Sequence, residues 1–120
     1  RGILMKISDV ARILDAIILT PLTDDDKDIT HAFGADLMSD VLRYSPDNCL
    51  MLTGLTNIHT LRTAEMTGIQ CILYVRGKMP DKEIIAEAKQ ENIVLLFTSK
   101  TMFEACGILY CNGVKAKSEQ

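Results

Sequence analysis

Hydrophobic positions along the chain fall into two alternating rhythms. Short, nearly continuous apolar runs, Cys49-Leu50-Met51-Leu52-Thr53, Gln70 to Val75 and Ile93 to Thr98, are of strand length and aliphatic, as strands buried on both faces are. Between and after them lie Thr56 to Met66, Pro80 to Gln90 and Thr101 to Tyr110, which read as helices. Strand and helix in this alternation require parallel strands joined by right-handed crossovers. The pattern therefore predicts a three-layer α/β domain with a mainly parallel β-sheet. Pro80 suits a first helical residue, where the missing N–H costs nothing, Thr101-Met102-Phe103-Glu104 is a capping box, and Gly113 offers a C-terminal stop.

The first half is less regular. Ser8 predicts the N-cap of a helix carrying Val10, Ile13, Leu14 and Ile17 at helical spacing and ending near Asp15 or Ala16. Ala16-Ile17-Ile18-Leu19-Thr20 is a compact β-branched run closed by Pro21, and Ile17, for which helix and strand compete, is assigned to the strand. Asp28 to Gly34 alternates polar and apolar residues, with Ile29, His31 and Phe33 on one side of a single strand. Asp36 predicts the cap of a helix whose apolar face is Leu37, Met38, Val41 and Leu42, and Ser45-Pro46-Asp47-Asn48 the turn that ends it.

With 120 residues, 48% of them hydrophobic, the chain can bury the core of one domain without disulfide or metal. Residues 5–113 are expected to form it. Residues 1–4 read as an upstream or non-native extension, because Met5-Lys6-Ile7 resembles a natural start, and 114–120 as a polar tail frayed from Lys115 onward. A net charge of -3 with scattered Lys and Arg argues against nucleic acid as a partner. No apolar run approaches the roughly 20 residues of a membrane helix, and no secretory leader is visible, so a cytoplasmic protein with no membrane partner is expected.

Candidate metal and cofactor chemistry is sparse. No C-x-x-C pair occurs; Cys49 and Cys71 fall in or beside strands as small hydrophobes, and Cys106 and Cys111 would lie about 140° apart around a helix. Thr23-Asp24-Asp25-Asp26-Lys27-Asp28 lacks the glycine and distal glutamate of a calcium loop and reads as a solvated connection. No metal site and no cofactor are expected.

The three apolar strands all turn polar at their carboxyl ends, the edge at which parallel sheets bind ligands. Thr53, Gly54, Thr56 and Asn57 follow the first, Arg76, Gly77 and Lys78 the second, and Thr98, Ser99 and Thr101 the third. The glycines allow close backbone approach, the hydroxyls and Asn57 can donate, and Arg76 and Lys78 can neutralise phosphate or carboxylate. Two readings stay open: a site for a small anion or nucleotide, and ordinary turn and cap chemistry that uses the same residue types. Neither a G-x-x-x-x-G-K-[ST] phosphate loop nor a G-x-G-x-x-G motif occurs, which excludes the usual nucleotide-hydrolysing and dinucleotide sites. His31 reads as a satisfied, half-buried strand residue, His59 as a solvent-facing helix residue, and the Asp36–Asp40 pair as cap chemistry, so no catalytic residue is assigned and no enzyme is expected.

Phe33-Gly34-Ala35-Asp36-Leu37-Met38-Ser39-Asp40-Val41-Leu42, Leu52-Thr53-Gly54-Leu55-Thr56-Asn57, Val75-Arg76-Gly77-Lys78-Met79-Pro80 and Met102-Phe103-Glu104-Ala105-Cys106-Gly107 resemble the small stand-alone DRTGG-domain proteins over Met5 to Gly113. The plan is similar to the N-terminal domain of bacterial HPr kinase/phosphorylase and to regulatory domains attached to some phosphotransacetylases and CBS-domain proteins. The literal Asp-Arg-Thr-Gly-Gly string does not occur, and Leu52 to Asn57 is its positional counterpart. The resemblance implies a non-catalytic regulatory or ligand-sensing module, a homodimer, and a link to hydrogenase or redox metabolism, because stand-alone members are encoded near iron-only hydrogenase subunits. Kinase activity is not implied, since the phosphate-loop domain that performs it is lacking. The alternative is a protein-interaction adaptor acting through dimerisation, without a small ligand, with Met38, Met51, Met66, Met79 or Met102 as exposed contacts.

Overall fold

The computed structural model describes residues 5–21, 27–36 and 49–116. In chain order the elements are β1 (Met5–Lys6), α1 (Ile7–Ile13), β2 (Ile17–Ile18), β3 (Asp28–Ile29), β4 (His31–Gly34), β5 (Cys49–Thr53), α2 (Ile58–Thr67), β6 (Cys71–Tyr74), α3 (Lys82–Gln90), β7 (Val94–Phe97), α4 (Met102–Cys111) and β8 (Lys115–Ala116). The helix expected over Leu37 to Leu42, Asp40, the turn Ser45 to Asn48, the acidic run Thr23 to Asp26, and both chain ends lie outside the described residues.

Six strands form one sheet in the order β2-β7-β6-β5-β4-β8, parallel throughout except for antiparallel β2. Alternation along the parallel strands sorts their side chains into two cores. Leu50, Leu52, Leu73 and Leu96 pack with Val10 and Leu14 of the α1 segment and Ala105 and Leu109 of α4. Met51, Ile72, Tyr74 and Leu95 pack on the other face with Leu61 and Ala64 of α2 and Ile84 and Ala88 of α3. The result is the expected three-layer α/β domain with a mainly parallel sheet. Crossovers of one hand from β5 to β6 to β7 place α2 and α3 on one face. The chain then returns across the opposite face through α4 to reach β8 at the far edge. Among the described residues no helix is long and apolar enough to cross a membrane.

Local chemistry moves several expected boundaries. Ser8 is not the first N-cap: α1 begins two residues earlier, with Lys6 at the cap and the Asp9 carboxylate accepting the Lys6 backbone N–H at 3.0 Å. Pro80 does not open α3, because Asp81 takes the N-cap and accepts the Ile84 N–H at 3.1 Å. In the same way Asn57, not Thr56, sets the start of α2. The strand expected over Asp28 to Gly34 divides at Thr30. Ile29 pairs with Met5 in a separate antiparallel ribbon, and His31 starts the main ladder opposite Cys49. Ile29 and Phe33 therefore pack in different cores instead of sharing one side. Lys115 and Ala116, expected to fray, pair with His31 and Ala32 as an edge strand, behind a buried Val114. Met51, considered as an exposed contact, is fully buried.

Candidate functional site

Parallel pairing brings the ends of β4, β5, β6 and β7 to one edge of the sheet. The ladder runs slightly past the strands, since Ala35 N–H donates to the Leu52 carbonyl, Val75 N–H to Thr53 and Thr98 N–H to Tyr74, each at 3.0 Å. The residues that follow are thus held in register. Asn57 and Thr101 are committed to helix starts. Asn57 Oδ1 accepts the Thr60 N–H at 3.2 Å, and Thr101 forms the expected box with Glu104, whose carboxyl is held below the usual range first by the Thr101 backbone N–H. Thr98 is buried: its hydroxyl donates to the Leu14 carbonyl at 2.8 Å and accepts the Lys100 N–H at 3.3 Å, tying this edge to α1. Thr56 is half-buried, and Lys78 and Ser99 are exposed.

Thr53, Gly54 and Arg76 converge on Asp36, a residue whose sequence context points to a helix cap. Asp36 Oδ1 accepts the Gly54 N–H at 2.9 Å and the Thr53 hydroxyl at 3.1 Å. Its Oδ2 lies 3.9 Å from Arg76 Nη2. Asp36 thus joins the β4 end to the β5 and β6 ends. Arg76 and Gly77 are consecutive left-handed residues, φ 64° and 68°, held by Arg76 N–H donating to the Lys100 carbonyl at 2.7 Å and Gly77 N–H to Thr98 at 2.9 Å. For arginine that backbone costs about 1–2 kcal/mol. The guanidinium lies against Gly54, where a Cβ would stand 2.9 Å from Cζ and 3.1 Å from Nε. Gly54 is therefore glycine because Arg76 occupies the space of its side chain. The Arg76 and Asp36 side chains are both about half exposed, 47% and 50%, so the planar donor remains open to solvent on one side.

Directly below this edge, the fully buried Tyr74 ends β6 with a hydroxyl that has no hydrogen-bond partner among the described residues, and burial pushes its phenol far above the ordinary tyrosine range. His31 is half-buried beside the Thr30 hydroxyl, its Nδ1 2.8 Å from Oγ1. Among the described residues no cluster of three or more His, Cys, Asp and Glu side chains could hold a metal ion.

Among the described residues, recesses also lie away from this edge. A cavity of about 680 Å³ opens at the opposite edge, where Gly68, Gln70 and Asn92 precede β6 and β7, and its lining includes Lys27, Lys89, Glu65 and Glu91. Burial, then a hydrogen bond shared with Glu87, raises the Glu65 carboxyl above its usual range. A second recess of about 390 Å³, between α4 and the β4–β8 edge, is lined by Ala32, Phe33, Leu52, Leu109 and Val114 and rimmed by Phe103 and Tyr110. Those aromatic rings are 88% and 72% exposed.

No protein-family model matches the chain. It is similar to the bifunctional purine biosynthesis protein PurH of Buchnera aphidicola subsp. Schizaphis graminum, with 32% identity over 91 residues, which are 76% of this chain and 15% of that protein. Its fold is similar to the CBS and DRTGG domains of the regulatory region of Clostridium perfringens pyrophosphatase, whose crystal structure holds the activator diadenosine tetraphosphate. The TM-score is 0.74 at 18% identity, over 94% of this chain and 51% of that one. The chain therefore spans about half of the solved structure and a small part of the curated relative. This likeness shows an α/β fold like that of a CBS and DRTGG domain region, which agrees with the DRTGG part of the sequence resemblance and does not extend to the N-terminal domain of HPr kinase/phosphorylase.

Proposed function

We propose that this domain is a non-catalytic regulatory module that senses a small anion, of the nucleotide or polyphosphate class, at the carboxyl edge of its sheet. The observation that carries the reading is the placement of Arg76. A strained backbone and a glycine at 54 hold a half-exposed guanidinium beside the Thr53–Gly54 turn, where its fork can meet phosphate oxygens in pairs. Lys78, exposed two residues on, adds a second charge. The shared fold with a regulatory region solved with diadenosine tetraphosphate supports the ligand class. The larger cavity at the other edge suits an anion less well, because two carboxylates, Glu65 and Glu91, share its lining with the two lysines.

Thermal-shift and calorimetric titration with tripolyphosphate, ATP and diadenosine tetraphosphate tests the reading. A ligand present at 100 times its Kd stabilises the fold by about 2.7 kcal/mol, and Arg76→Ala should abolish the shift. No stabilisation by any of the three at millimolar concentration contradicts it.

The exposed Phe103 and Tyr110 beside an apolar recess favour a second reading, an adaptor that works as a homodimer without a small ligand. The occupant proposed there is a second copy of the chain, meeting at α4 and at β8, the edge strand of the sheet. Light scattering should then show a dimer that Phe103→Glu converts to monomer; a monomer for the wild type at about 0.1 mM excludes it.

A further inference from the structure

The groups that would receive an anion at this edge are already engaged by one side chain of the same chain. Asp36 places one carboxylate oxygen on the Gly54 N–H and the Thr53 hydroxyl, at 2.9 and 3.1 Å, and turns the other toward Arg76 Nη2 at 3.9 Å. A backbone amide, a hydroxyl and a guanidinium around one anion form the donor set that a phosphate group also recruits. The grip is uneven. The amide bond is of ordinary length, whereas the hydroxyl contact is long for an O–H donor and the arginine contact is longer still, with both side chains half exposed, a geometry in which ion pairing contributes little.

We propose that Asp36 is a built-in occupant of the anion site, a carboxylate that the phosphate of an incoming ligand displaces from Gly54, Thr53 and Arg76. The inference rests on the anion-sensing reading above and adds a mechanism to it. A phosphate has more charge and more acceptor oxygens than a carboxylate, so it can take the guanidinium in paired bonds that Asp36 does not make. Displacement frees Asp36, whose side-chain tie to the Thr53–Gly54 turn adds to the Ala35–Leu52 backbone bond in joining the ends of β4 and β5. Bound and unbound states then differ in what holds the end of β4, which is the differential contact a ligand needs to shift a conformational equilibrium.

Removing the occupant should tighten binding, an outcome that a purely structural Asp36 does not produce. Calorimetric titration with inorganic tripolyphosphate compares the wild type with Asp36→Ala, Asp36→Asn and Asp36→Ala combined with Arg76→Ala. Asp36→Ala is expected to bind about tenfold tighter, the factor for a site that its own carboxylate closes roughly nine-tenths of the time. Asp36→Asn should fall between, since its amide oxygen still accepts the Gly54 N–H but no longer carries charge toward Arg76, and the double variant should bind more weakly than the wild type. Circular dichroism checks folding, and if Asp36→Ala is unfolded the Asn variant decides. Wild-type binding with equal or weaker binding in the folded Asp36 variants overturns the occupant role and leaves the anion site standing. Absence of binding in the wild type and in every variant overturns both.

Discussion

Gly54→Ala separates ligand recognition from folding more cleanly than any other substitution in the domain. Gly54 has no left-handed backbone to strain, so the added methyl meets one obstacle, the Arg76 guanidinium, with Nη2 nearest and Cζ 2.9 Å away. That obstacle is the far end of a flexible side chain, and it swings out into solvent at small cost. The half-exposed pair with Asp36 that is lost contributes about 0–1 kcal/mol, and replacing glycine by alanine returns about 0.4–1 kcal/mol through the unfolded chain. Stability in urea should therefore stay within about 1 kcal/mol of wild type, a shift of roughly 4 °C or less in Tm. Binding should respond much more strongly. Charged hydrogen bonds from a guanidinium are each worth about 1.5–3 kcal/mol, so the tripolyphosphate Kd measured by calorimetry should rise by about 10- to 150-fold. A variant that folds as well as wild type and binds with unchanged affinity would refute the placement of Arg76 at the site. A loss of more than about 3 kcal/mol in stability would show that Gly54 serves backbone packing instead.

Three further outcomes follow from the same geometry. Thr98→Val should lose about 1–3 kcal/mol in urea melts, because it strands the buried Leu14 carbonyl, while tripolyphosphate affinity stays at the wild-type value; weakened binding in a folded variant would make Thr98 a ligand contact. Arg76→Gly should be more stable than Arg76→Ala by about 1 kcal/mol, since only glycine relieves the left-handed backbone, with both variants unable to bind. Burial raises the folded-state pKa of Tyr74 above its unfolded value of about 10, so the fold keeps its full stability below pH ~10 and loses it as pH climbs from there toward the folded value, by about 1.4 kcal/mol per pH unit. Tyr74→Phe should remove that part of the alkaline loss and, by deleting an unpartnered hydroxyl, leave the neutral-pH stability equal or higher; an unchanged alkaline profile would assign the loss to other groups.

What could be read ahead of the structure follows from how local each interaction is. The two-faced apolar runs of β5, β6 and β7 announce a parallel sheet because they need helices on both sides, and the Thr101 box is complete within four consecutive residues. The split at Thr30 was not legible, because what draws Ile29 out of the main strand is Met5, far away in sequence. Nor was β8: Lys115 and Ala116 are both exposed, so an edge strand leaves no hydrophobic rhythm to read. At the site, the strand-end position and cation of Arg76 were visible, and the caps at Asn57 and Thr101 were an open alternative that the structure fills. Asp36 was missed as a site residue, since its partners Thr53 and Gly54 sit 17 and 18 positions away and its sequence context reads as a helix cap. The glycine after β5 signals a close approach, but the side chain that fills its space is Arg76, so it points to Arg76 and not to Asp36.

The central claim, that an anion is received at the β5 and β6 ends, is tested most directly by backbone amide NMR during titration with tripolyphosphate. The account predicts that the largest shifts fall on Gly54, Leu55, Arg76 and Gly77, disappear in Arg76→Ala, and leave Gly68, Gln70 and Asn92 in place. Shifts concentrated on Gly68, Gln70 and Asn92 would instead move the binding site to the cavity at the opposite edge and contradict it.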